Sequence, residues 1–269
     1  MRVDERTPFT SGSRAPADRR TLGWLAGALG CAALTTGLLI APADRVQGDA
    51  QRLMYLHVPA AWTAFLAFAV VLLASGAYLI WRDLRWDRCA RAAAEIGVVL
   101  TALTIVLGSL WGRLAWGTWW AWDPRLVSTA LLFLVYAGYL TLRHTWSTPD
   151  DDRTGARGRP ARHDAIAAHR VARPAAILGI VGFVLVPVVH WSVSWWRSLH
   201  QQATVLGPEK PPMDLLMGAA LALSVLAFSV AAGWLFLRRV ATLEDRVLGP
   251  AVRTAGPRPA PSPGRRGRR

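Results

Sequence analysis

Six stretches of this 269-residue chain are apolar over the length of a bilayer crossing, and nothing else in the sequence restricts its fold as strongly. They cover about 22–41, 60–81, 92–111, 126–142, 174–190 and 214–237. Each is roughly 17–25 residues, which a helix needs to cross ~30 Å of hydrocarbon. In hydrocarbon every backbone N–H and C=O must find its partner within the protein, so only helices and closed β-barrels span it. The blocks lack the alternation of barrel strands. The expected fold is all-α: a polytopic membrane protein of six transmembrane helices. The first block follows an arginine-rich start but is long for the apolar region of a cleaved signal, so it is read as a true span.

Charge orients the spans. The chain carries a net +14 while 53% of its residues are hydrophobic, a pairing that suits a membrane protein with basic loops. Grouping the amino terminus, the 82–91 and 143–173 loops and the carboxyl tail on one side collects 25 of the 31 basic residues there. Only Arg45, Arg52, Arg113, Arg125, Arg197 and Lys210 fall on the other. The positive-inside rule then places both termini in the cytoplasm. The expected organisation is a cytoplasmic segment 1–21, a six-helix domain 22–238 with an outer loop at 111–124, and a basic cytoplasmic tail 239–269, disordered from about 249 where Pro, Gly and Arg alternate. The arginines flank spans and form no face of a soluble domain, so no nucleic-acid partner is expected; an anionic lipid bilayer suits them. Cys31 lies in the first span and Cys89 in a loop across the bilayer from the outer face, and there is no Cys-x-x-Cys, which argues against thiol exchange and covalent c-type haem attachment.

The segment from Trp111 to Asp123 holds five tryptophans, Trp111, Trp116, Trp119, Trp120 and Trp122, with Gly112 and Gly117 between them. Asp123-Pro124 is also a helix-start signal, an N-cap followed by proline at the first helical position. His57 and His190 sit at matching depths, each at a span boundary on the outer side, with His200 further along the third outer loop. His144, His163 and His169 fall among arginines and aspartates and read as ordinary polar loop residues.

Two imidazoles can hold a haem iron from opposite faces. Indoles cover porphyrin faces by offset stacking. Arg52, Arg113, Arg125 and Arg197 are close in sequence, and a guanidinium forks onto a carboxylate such as a propionate. The inventory matches a haem platform. The plainer alternative is an interfacial tryptophan belt, but nine of the fourteen tryptophans lie on the outer side, where an ordinary belt is more even. A zinc site finds no His, Cys or carboxylate cluster with metal spacing.

The run Trp111–Asp123 resembles the tryptophan-rich "WWD" signature of haem-handling proteins in cytochrome c maturation, most closely the CcmC (haem exporter protein C) family. Met54–Trp62 and His190–Gln201 resemble that family's outer-loop patterns, and the resemblance extends over about 22–238. It implies an inner-membrane protein that holds haem b non-covalently and transiently on the periplasmic side. His57 and His190 would be the axial ligands of the iron, and the loop with Asp123 would bind the ring. The partners implied are a CcmE-like haem chaperone, a CcmA/CcmB-like ABC unit and a CcmD-like small membrane protein. The resemblance implies no catalytic residue and no enzyme activity, and the chain lacks a phosphate-binding Gly-x-x-x-x-Gly-Lys motif, so ATP hydrolysis falls to a partner. The competing readings are a CcsA-type haem delivery and synthetase subunit, which has more spans, a bis-His membrane cytochrome linked to quinone, and a polytopic permease, for which intramembrane charge is scarce.

Overall fold

The computed structural model describes residues 16–147, 161–200 and 213–254. Helix α1 (Pro16–Thr35) continues into a wider π turn at Thr36–Ile40. A short 3₁₀ turn, Asp49–Leu53, leads into α2 (Met54–Trp81). Then come α3 (Leu84–Trp116), α4 (Pro124–Ser147), α5 (Ala161–Phe183), α6 (Leu185–Trp195) and α7 (Leu215–Thr254). Six helical stretches are long and apolar enough to cross a membrane, with α5 and α6 together forming the fifth. The expected all-helical, six-span architecture is therefore present.

The helices outrun the apolar blocks. Residues 84–91, expected in a loop, form the first turns of α3 because Asp83 caps it, its carboxylate accepting from the Arg85 N–H at 2.8 Å. Helix α7 likewise continues past the expected boundary at 238 and past 249 to Thr254. The rest of the expected tail, the residues before Pro16 and 148–160 of the expected 143–173 loop lie outside the described residues, while the two ends of that loop are helical, closing α4 and opening α5. His57, expected at a span boundary, and Pro59 belong to the early turns of α2.

In the fifth span the break at Val184 has a local cause. Pro187 has no N–H for the Phe183 carbonyl, and its ring crowds that carbonyl. The chain turns there with a tighter bond, Val184 N–H to Val181 O at 3.1 Å.

Helices α2 and α3 share the most extensive interface in the bundle. Lipid supplies no hydrophobic drive between spans, so packing depends on close approach at small residues. A Cβ at Gly97 would collide with the Phe68 ring, and one at Gly108 would stand 3.0 Å from Cε1 of His57. The two glycines are three helical turns apart on one face of α3. Phe68 stacks on Tyr136 of α4 with centroids 3.9 Å apart, and the Tyr136 hydroxyl donates to Gly179 O of α5 at 2.9 Å. This aromatic centre joins four spans.

The end of the bundle opposite the tryptophan loop is tied by charge. Arg143 of α4 donates to the Asp87 carboxylate of α3, Nη1 at 2.8 Å, and lies 5.1 Å over the Tyr139 ring. Glu95 accepts from Arg91 at 3.2 Å and from Arg239 of α7 at 2.8 Å. His169, read from sequence as a loop residue, is in α5 with Nδ1 3.0 Å from the Tyr78 hydroxyl of α2.

Asp87→Ala leaves the buried Arg143 without its carboxylate and is expected to cost ~3–5 kcal/mol. Thermal unfolding in mild detergent should show the loss, and Asp87→Ala combined with Arg143→Met should recover most of it.

Candidate functional site

The site begins where α3 ends. Gly117 adopts φ 76°, the left-handed conformation that closes a helix, so the chain leaves α3 at a sharp angle. Gly112 is buried against the Trp116 ring and Thr118 O, each 3.3 Å from where its Cβ would be. These two glycines fold the loop back on α3. Thr118 Oγ1 then donates to Trp120 O at 2.8 Å and fixes the turn toward Asp123.

Asp123 does two things. One carboxylate oxygen accepts from the Arg125 N–H at 2.9 Å and caps α4. The other accepts from the Ser198 hydroxyl at 2.8 Å and the Leu199 N–H at 2.7 Å, tying in the loop that follows α6. Nδ1 of His200 stands 3.4 Å from the capping oxygen. Burial works to raise the Asp123 carboxyl, but the donors from Ser198, Leu199 and Arg125 outweigh it and hold the group below its ordinary value. Burial, with Arg125 nearby, holds the His200 imidazole below its ordinary range against the pull of Asp123.

Beneath this junction is a cavity of about 690 Å³ between α2, α3, α4, α6 and α7, within the size range of small-molecule and cofactor sites. Its walls are mostly apolar. Besides a few hydroxyl and amide side chains, its lining brings together His57 from α2, His190 from α6, His200 from the third loop and Arg125 from α4. Trp111 and Trp120 also line it. His57 Nδ1 is buried with no hydrogen-bond partner, as is Nε of Arg125. Arg125 Nη2 donates to the His190 backbone carbonyl at 2.8 Å, which joins the start of α4 to the middle of α6.

The remaining expected residues are placed elsewhere. Trp116 packs edge-on against His200, 5.0 Å between centroids, and so supports the cavity from behind. Trp119 and Trp122 point outward, 59% and 86% exposed. Arg52 donates to the carbonyls of Gly37 and Leu38 at the end of the first span and pairs with Asp49 at 2.9 Å. Arg113 donates to Gly117 O, and Arg197 is exposed. Neither these two nor Arg52 lines the cavity. His200 does, although sequence reasoning had left it out of the site. Its only advance signal was Ser198 and His200 together, two polar side chains after a pair of tryptophans and able to meet a carboxylate.

The family model for Heme exporter protein C matches residues 15–248. The protein named Heme exporter protein C in Bradyrhizobium diazoefficiens is 37% identical over 239 residues, covering 87% of this chain and 82% of its own length. That of Escherichia coli K12 is 36% identical over 223 residues, covering 83% and 78%. A putative ccmC-like mitochondrial protein of cytochrome c biosynthesis from Marchantia polymorpha is 31% identical over 173 residues, covering 64% and 65%.

Asp123→Ala removes the acceptor for three donors. Hydrogen bonds to a charged group contribute ~1.5–3 kcal/mol each, so exchange of the Leu199 amide should accelerate ~10–100-fold. Hydrogen-exchange mass spectrometry checks this. Acid should act in the same direction. His200 has a folded pKa below 6.5, so its contribution fades as pH falls below 6.5 toward that value; Asp123 has one below 3.8, so its contribution survives until lower pH. His200→Gln should remove the first phase of loop loosening and leave the second.

Proposed function

The chain belongs to the Heme exporter protein C family, and on that premise we propose that its cavity holds haem at the periplasmic face of the inner membrane for transfer to a CcmE-like chaperone in cytochrome c maturation. The convergence of His57, His190 and His200 with Arg125 and two indoles on one apolar cavity carries this reading. Haem here is cargo, not a resident cofactor.

In the proposed arrangement His57 and His190 hold the iron of haem b. His57 suits the role because its ring is fitted into the space left by Gly108 and keeps an unbonded nitrogen. His190 is oriented through its own peptide by Arg125. The same guanidinium, with Nε still unbonded, is the cation placed to receive a propionate. Trp111 and Trp120 cover the ring faces. His200 sets the closed position of the third loop through Asp123.

Trp119 and Trp122 are exposed beside the cavity and supply the docking edge for the chaperone. Arg113 and Arg197 flank that edge, while Arg52 acts at the first span. The basic end faces the cytoplasm, in line with the charge distribution. The chain performs no bond-making catalysis in this scheme. A CcmA/CcmB-like ABC unit with a CcmD-like small protein supplies the energy that frees the loaded chaperone.

The test is the absorption spectrum of the protein purified in mild detergent without the chaperone, before and after haem is added. The wild type should show a Soret band, and His57→Ala and His190→Ala should each lose most of it. Arg125→Gln should weaken haem retention while preserving the band's position. A wild type with no haem-dependent band would refute the haem-holding role.

A further inference from the structure

A second cavity, of about 580 Å³, lies apart from the haem-site candidate. It is a groove along α7 between α1 and α3. Helix α1 packs chiefly on α7, which leaves the α1–α3 side open. The rise of 1.5 Å per residue puts ~12 Å between Ala26 and Leu34 on α1, with Leu38 of the π turn beyond, and ~22 Å between Ser224 and Arg239 on α7. Half of a ~30 Å hydrocarbon core is ~15 Å, so the groove runs the depth of one leaflet and slightly more.

Its lining is apolar apart from Tyr55 and Ser224 toward one end and the charged pair Glu95 and Arg239, which closes the other. A water-soluble ligand would find almost no polar partner along the groove, whereas a hydrocarbon chain needs none. The closed end is cationic. Glu95 pairs with both Arg239 and Arg91, which leaves one positive charge in excess. Arg238 stands 5.0 Å over the Trp234 ring, and the Trp234 indole N–H donates to Arg19 O on α1 at 3.0 Å. Arg238 and Arg239 are thus neighbours at the closed end, where the Trp234 indole ties α7 to the backbone of α1.

We propose that this groove binds one anionic phospholipid, with an acyl chain between α1 and α3 and the phosphate at Arg238 and Arg239. A leaflet-length apolar channel ending in clustered arginines is complementary to that molecule in both shape and charge. A bound chain would also replace the missing wall between α1 and α3, so the first span would be held to the bundle partly by lipid.

The test is native mass spectrometry of the full chain in detergent, titrated with dioleoyl phosphatidylglycerol or dioleoyl phosphatidylcholine. The wild type should retain one phosphatidylglycerol with a preference of about 25-fold, and each arginine removed should reduce that preference by roughly fivefold. Arg238→Gln with Arg239→Gln should bind both lipids alike. Gly30 lines the groove and nothing lies within 4 Å of where its Cβ would be, so Gly30→Trp has room to fill the groove and should abolish retention of either lipid. Lack of a saturable lipid in the wild type, unchanged retention in Gly30→Trp with an unaltered melting temperature, or a charge preference that survives the double arginine substitution would each overturn the proposal. A copurifying peptide in place of lipid would do so too. If Gly30→Trp does not fold, the arginine pair decides.

Discussion

Apolar helices in hydrocarbon gain nothing by leaving lipid for one another, so this bundle depends on contacts that lipid cannot supply. Gly97 and Gly108 bring the α3 backbone against Phe68 and His57 of α2. Phe68 then stacks on Tyr136, whose hydroxyl reaches α5. Asp87 and Arg143 tie the arginine end of the same helices. The α2–α3 pair is the fixed reference, and α7 with α1 is fitted to its side. The site inherits this rigidity because His57 stands on the α2–α3 seam itself, at the approach that Gly108 permits.

Asp123 does at the tryptophan end what packing does in the middle. One side chain stops the tryptophan loop, starts α4 and holds the loop after α6. A carboxylate suits this because it offers two oxygens and several lone pairs to convergent N–H and O–H donors. Arg125, two residues on, carries the organisation inward by bonding the backbone of His190. The cavity wall is therefore assembled from three sequence-distant segments through two neighbouring residues. The outward indoles, Trp119 and Trp122, are positioned without being part of the wall.

The spans were legible because bilayer thickness dictates the length of an apolar helix. Their ends were not, because capping by Asp83 and the polar turns of α3 and α7 extend helix beyond the hydrocarbon, where hydropathy carries no signal. His57, His190, Trp111, Trp120 and Arg125 were legible as a set and do converge on one cavity. Arg52 and Arg113 were grouped with them by sequence distance alone. Each lies near a helix end whose free carbonyls attract guanidinium groups, and each bonds there instead. His200 was missed because its place depends on a loop held 75 residues away from its anchor, a relation no local pattern encodes.

The Pro187 break gives the fifth span a mechanical asymmetry. Proline has already removed the ladder bond to Phe183, so changing the angle between α5 and α6 costs no further bond of that kind. The α5 portion is anchored by Gly179 and His169, while the eleven-residue α6 carries His190 and ends at the loop clasped by Asp123. Compliance in the cavity is thus concentrated in one joint below His190. The separation of His190 from His57 is adjustable there, through the third loop, without disturbing the seam on which His57 is mounted.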